Sequence, residues 1–156
     1  MHSPHPSRRE FLSRSCLLAG SACVPYFSSS RPALGAATAS ANDRFTIGVI
    51  GCGGMAGGNM ASAAEWLDVV AVADVDRRHR EGFSRRFSGG KAAMYNDYRR
   101  IIERDDVDLI HIATPDHWHA KPLIEAMLAG KDVYCEKPLT LTIDEGKRIR
   151  KVQRET

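Results

Sequence analysis

Three short segments carry residue types that can do chemistry. The first, Gly51-Cys52-Gly53-Gly54-Met55-Ala56, ends one apolar run and opens a helical pattern. In a G-x-G-x-x-A spacing the first glycine admits a tight turn and the second lets a diphosphate approach the backbone. The third position, here Ala56, keeps helix and sheet close. Unsatisfied N–H groups of the helix's first turn, at Gly54 and Met55, then face the anion along the positive end of the helix dipole. Asp74 closes a second apolar run 21 residues beyond Gly53. A carboxylate there accepts hydrogen bonds from ribose hydroxyls and repels a 2′-phosphate. The pair predicts a dinucleotide site that favours NAD. Arg77 and Arg78 keep NADP open, although a solvated helix start is their plainer reading, and Asp76 is the alternative to Asp74. The glycine pattern alone is weak; strand, turn, helix and acid in this order are specific.

The second segment is Thr114-Pro115-Asp116-His117-Trp118-His119. It follows an apolar run, and in parallel sheets ligands sit at the carboxyl ends of strands where the strand order reverses. Backbone contacts from Thr114 and Pro115 to the cofactor are the firmer expectation. For His117 cofactor contact and loop packing weigh about equally, as do cofactor contact and a first-turn helix role for His119. His-x-His invites a metal, but no carboxylate or cysteine set completes a site, so none is expected. The third segment is Glu136-Lys137-Pro138. A lysine at a strand end can donate a hydrogen bond or a proton to the oxygen of a reacting carbon. A cis X-Pro bond would turn it into the cleft. From spacing alone, a surface lysine before a turn proline is the default.

The elements that must position these residues alternate. Phe45–Ile50, Val69–Ala73, Ala92–Tyr95, Leu109–Ala113 and Asp132–Cys135 read as five short apolar strands. Helical patterns separate them: Gly54 to Glu65, Arg77–Arg86, Asp97–Arg104 with Asn96 as its N-cap, and Trp118 to Ala129 closed by Gly130. Thr142-x-x-Glu145 is a capping box for a last helix. Strand–helix alternation at this spacing predicts an α/β fold, a doubly wound parallel sheet of the Rossmann type. Such a sheet usually has a sixth strand, so the pattern predicts a domain cut after the fifth strand and its helix. Cys52 and Cys135 would end strands 1 and 5 with strand 4 between them. Two strand spacings of about 4.8 Å exceed disulfide reach.

Charge and composition divide the chain. Of 22 Lys+Arg and 19 Asp+Glu, residues 1–41 hold Arg8, Arg9, Arg14, Arg31 and Glu10, so the remainder is balanced despite a net charge of +3. A folded part without a basic field argues against nucleic-acid binding. With 43% hydrophobic residues the chain is not disordered as a whole. Residues 1–41 read instead as an export leader. Ser7-Arg8-Arg9-Glu10-Phe11-Leu12 resembles a twin-arginine signal, an apolar run from Cys16 to about Phe27 follows, and cleavage after Ala39 or Ala41 fits. That run is far short of the ~20 residues of a membrane-spanning helix. No stable membrane anchor is expected, and the mature domain, residues 42–156, would be periplasmic.

GVIGCGGMA, VVAVADVD, IATPDHWH and AGKDVYCEKPLTLT resemble the Gfo/Idh/MocA oxidoreductases, from about Phe45 onward. The resemblance implies an NAD(P)-binding Rossmann domain, with Gly51, Gly53 and Ala56 at the pyrophosphate and Asp74 at the ribose. It implies Thr114, Pro115 and His119 near the nicotinamide ribose, and Glu136 and Lys137 lining the nicotinamide and substrate site. Lys137 becomes the leading catalytic candidate, assisting proton transfer as hydride moves to or from a sugar or polyol carbon. Family members continue with a larger α/β domain that supplies the substrate face and a histidine acid/base. Its absence here implies an incomplete fragment, inactive by itself. The alternatives are an NAD-dependent glycosidase of the same architecture and a non-catalytic nucleotide-binding fragment.

Overall fold

The computed structural model describes residues 44–156. The leader, with its twin arginines and cleavage positions, lies outside them. The elements follow in the order β1 Phe45–Ile50, α1 Gly54–Ala63, β2 Leu67–Ala73, α2 Arg77–Ser88, β3 Ala93–Tyr95 and α3 Arg99–Ile102. Then come β4 Leu109–Ile112, a 3-10 turn Asp116–Trp118, α4 Ala120–Leu128, β5 Asp132–Cys135 and α5 Ile143–Glu155. All pairings are parallel and the strand order is β3-β2-β1-β4-β5. This is the doubly wound α/β fold expected from the alternation. The order reverses between β1 and β4, so a crevice forms at their carboxyl ends.

Each face of the sheet is apolar because each is covered by helices. On one face Ile50, Ala71, Ala73, Ile110 and Ile112 pack on Ile101 and Ile102 of α3, Leu123 and Ala126 of α4, and Ile149 of α5. The other buries Ile47, Val49, Val69 and Val72 under Ala56 and Met60 of α1 and Phe83 of α2. Val69 and Val72 share this face, three residues apart, because the β1–β2 register slips at Ile47/Gly48 and Val70 is extra. Gly48 sets how closely α3 lies: a Cβ there would sit 2.3 Å from Cγ2 of Ile101.

Three local expectations change. Helix α1 ends at Ala63 rather than Glu65, where the Arg44 guanidinium takes the carbonyls of Ala64, Glu65 and Leu67 at 2.6–2.9 Å. Those orphan oxygens need a donor, and Arg44 supplies it. Asn96 is not an N-cap: its amide oxygen accepts from Arg80 at 3.2 Å. Asp97 accepts instead from the Arg99 N–H at 3.0 Å, and α3 is reduced to a single turn. The helix expected from Trp118 begins at Ala120 because Pro122 has no N–H for the Trp118 carbonyl. The α-type ladder starts one residue later, from the Leu123 N–H to His119 at 3.2 Å. The Thr142–Glu145 capping box forms as read. Cys52 is buried, Cys135 half-buried, and both thiols are free.

Candidate functional site

The turn after β1 is held by backbone geometry. Gly51 has φ +86°, and a Cβ there would lie 2.7–2.8 Å from Ala113 and Thr114 backbone atoms, so only glycine fits between β1 and the exit of β4. Gly53 is the N-cap of α1 and has no side-chain capping bond; the first turn holds no acidic residue. A Cβ added at Gly53 or Gly54 would meet nothing within 4 Å. Met55 is half exposed beside them, and Ala56 is fully buried against the sheet. The helix start is an open, uncapped amide cradle, which fits a diphosphate.

Asp74 faces that cradle. Its Oδ2 accepts the Cys52 N–H at 2.7 Å and its Oδ1 accepts the Asp76 N–H at 2.9 Å. The side chain is 12% exposed, with His79 Nδ1 at 3.5 Å. Each oxygen keeps a further lone-pair site, so the carboxylate can still receive hydroxyl donors. Asp76 is otherwise engaged: it caps α2 and binds the Arg78 guanidinium at 2.8 Å, which pulls its carboxyl down to about 2. Arg77 pairs with Glu81 at 2.6 Å. Both arginines lie at the solvated start of α2. Burial, reinforced by the Asp74 charge, pushes the Cys52 thiol up to about 12, so it stays a neutral packing group.

At the end of β4, Thr114 borders Gly51, and its Oγ1 is buried without a partner among the described residues. A buried hydroxyl with no partner is unusual, and a ligand at the crevice would satisfy it. Pro115 is exposed. His117 is exposed, whereas His119 is 1% exposed. His119 Nδ1 lies 2.6 Å from the Pro138 carbonyl and Nε2 lies 2.8 Å from the Thr114 carbonyl. The His119 ring therefore sits between the β4 loop and the β5 loop with one nitrogen against each carbonyl, and its neutral form donates its single N–H to one of the two. Among the described residues no group of three or more His, Cys, Asp or Glu side chains is gathered as a metal site.

Glu136 continues β5 and is 9% exposed; Lys137 is exposed, and the Lys137–Pro138 peptide is cis. The Glu136 Oε1 accepts from Asn59 Nδ2 of α1, and that bond holds the carboxyl below the usual glutamate range. Asn59 Nδ2 also lies 3.2 Å from His111 Nε2 of β4. Neither Asn59 nor His111 was singled out in the sequence. His111 sits inside an apolar strand pattern, where a histidine in place of an aliphatic residue was the signal to notice.

A separate cleft of about 740 Å³ opens at the opposite end of the sheet, lined by Phe45, Asp105, Asp108, Lys131 and Asp132 among others. Its Lys131 ammonium already binds the carbonyls of Arg104 and Val107 at 2.6 and 2.9 Å. Lacking the glycine turn and the strand-end acid, it is not the candidate site.

Fold and crevice together define a dinucleotide-binding α/β domain. Residues 45–156 match the GFO_IDH_MocA family, described as an oxidoreductase family with an NAD-binding Rossmann fold, and the chain belongs to it. Inositol 2-dehydrogenase of Rubrobacter xylanophilus is 36% identical over 111 residues, 69% of this chain and 31% of that protein. Glycosyl hydrolase family 109 protein 2 of Shewanella sp. strain ANA-3 is 32% identical over 158 residues, 88% of this chain and 35% of that protein. The crystal structure of myo-inositol dehydrogenase from Lactobacillus casei, in complex with NAD(H) and myo-inositol, has a TM-score of 0.68 at 27% identity. The match covers 72% of this chain and 34% of that one. The chain spans about a third of the length of these relatives.

Proposed function

We propose that this chain is the NAD(P)-binding unit of a sugar or polyol oxidoreductase, with NAD the preferred cofactor, exported by the twin-arginine route. The observation that carries the cofactor reading is the Asp74 carboxylate turned onto the Cys52 amide of the glycine turn. That contact supports reading Asp74 as a ribose acceptor next to a diphosphate cradle at the glycine turn. Relatives named for inositol support the polyol class.

When bound, the nicotinamide supplies the donor or acceptor of a hydride. The chain's own residues do the rest. The amides of Gly53, Gly54 and Met55 hold the diphosphate, Asp74 accepts from the ribose, and Thr114 Oγ1 and Pro115 line the far half. Lys137 would hold or move a proton at its Nζ. We assign the substrate pocket and a second acid/base to regions that the relatives have and this stretch does not cover. Titrating NADH into the full chain should give saturable one-to-one binding by fluorescence, with NADPH weaker. Absence of binding to either would overturn the reading.

The glycosidase reading stands second, favoured by one observation: the Shewanella relative aligns over 88% of this chain, against 69% for the inositol dehydrogenase. Assayed on the complete gene product, steady NADH formation from a free polyol marks the dehydrogenase. Glycoside cleavage with no net NADH marks the glycosidase. For export, Arg8→Lys combined with Arg9→Lys should retain the protein in the cytoplasm, and periplasmic recovery of that variant refutes the route.

A further inference from the structure

Asn59, His111, Tyr134 and Glu136 meet where α1, β4 and β5 come together. Asn59 Nδ2 has two hydrogens and two acceptors. One is Oε1 of Glu136; the other is Nε2 of His111 at 3.2 Å. The amide cannot be reversed, because its oxygen would then face the carboxylate. Nε2 of His111 must therefore accept, which puts the imidazole proton on Nδ1. That Nδ1 is buried and has no partner among the described residues, in a side chain only 3% exposed. Tyr134 covers the imidazole with ring centroids 5.3 Å apart, and its hydroxyl lies 3.5 Å from Glu136 Oε1. The other carboxylate oxygen, Oε2, accepts the Lys137 backbone N–H at 3.2 Å.

An orphaned N–H is costly to bury, so packing alone does not favour a histidine here; leucine would fill the strand face without it. What His111 provides is an acceptor that fixes the Asn59 amide. Asn59 in turn lies one turn along α1 from the cradle amides. We propose that Asn59 and His111 are positioning residues: they lock the Glu136 carboxylate to α1, and through it set the Lys137 backbone relative to the diphosphate cradle. The inference rests on the cofactor reading above, since it links the two ends of that site.

The test uses the full chain. A long-range ¹H–¹⁵N spectrum of the imidazoles should show His111 unprotonated at Nε2 and protonated at Nδ1; a protonated Nε2 overturns the proposal. Asn59→Leu removes the shared donor. It should shift the Lys137 amide proton upfield and weaken NAD affinity by about three- to tenfold, the worth of one lost hydrogen bond. His111→Leu should act in the same direction. His111→Gln, whose Oε1 can again accept from Asn59, should restore both readouts to within about twofold of wild type, well inside the range of one hydrogen bond. An unmoved Lys137 amide in Asn59→Leu, or a His111→Gln variant as impaired as His111→Leu, contradicts the assignment. If wild type bound no NAD, the cofactor reading would fall, while the tautomer and the Lys137 amide would still decide whether the lock exists. If Asn59→Leu failed to fold, the wild-type tautomer would decide.

Discussion

At the β1–β2 end of the crevice the groups are backbone amides, a glycine at φ +86° and one carboxylate that ends the adjacent strand. At the β4–β5 end they are side chains joined across the fold: Asn59 reaches 52 residues to His111 and 77 to Glu136, while His119 bridges two loops. The first half depends on what the chain does locally, and the second on tertiary structure holding distant side chains together. Substitutions should therefore fail differently in the two halves, through backbone geometry in one and unpaired buried groups in the other.

The largest effect is expected in the backbone-built half. Gly51→Val forces a β-branched side chain into positive φ and against the Ala113 backbone, 2.7 Å from where its Cβ would sit. It should lower unfolding stability by about 2–4 kcal/mol in urea titrations. A wild-type midpoint would mean that the turn opens freely and that the two halves do not differ in this way. Next comes His119→Phe, which keeps the volume but removes the ring N–H that one of the Thr114 and Pro138 carbonyls accepts. A loss of about 2–3 kcal/mol is expected in the same titrations, more than for any change at the exposed His117.

His111 gives a smaller effect with a defined sign. Burial holds its pKa below the ordinary 6.5, so the folded chain binds fewer protons than the unfolded one just below that value. Its contribution is complete above about 6.5 and is lost as pH falls toward the folded-state value. Between pH 7.5 and 5.5, His111→Phe should lose less stability than wild type in urea titrations. Parallel losses in the two proteins would show that His111 is not held neutral. Smallest of all, His117→Ala should stay within about 0.5 kcal/mol of wild type, because the side chain is exposed.

The same contrast explains what could be read from the sequence. The strands, the glycine turn, Asp74 and the capping box follow local rules of period, φ and spacing, and they lie where those rules put them. Helix α4 starts two residues late because Pro122 blocks one bond, a local rule applied at the wrong position. Asn96 was misread because Asp97, one residue on, competes for the same amides, and Arg80 takes the Asn96 oxygen. The Asn59–His111–Glu136 contact has no local signal. An asparagine in a helix and a histidine in a strand become partners only once β4 and β5 lie beside α1. His119 was legible as a residue of the site loops, but its burial between the Thr114 and Pro138 carbonyls was not.

The most direct measurement is a crystal structure of this chain grown with NAD. The account predicts the diphosphate within 3.2 Å of the Gly53–Met55 amides and an adenosine ribose hydroxyl within about 3.0 Å of an Asp74 oxygen, ordinary hydrogen-bond lengths. A nucleotide bound elsewhere, or a ribose that leaves Asp74 untouched, would contradict it.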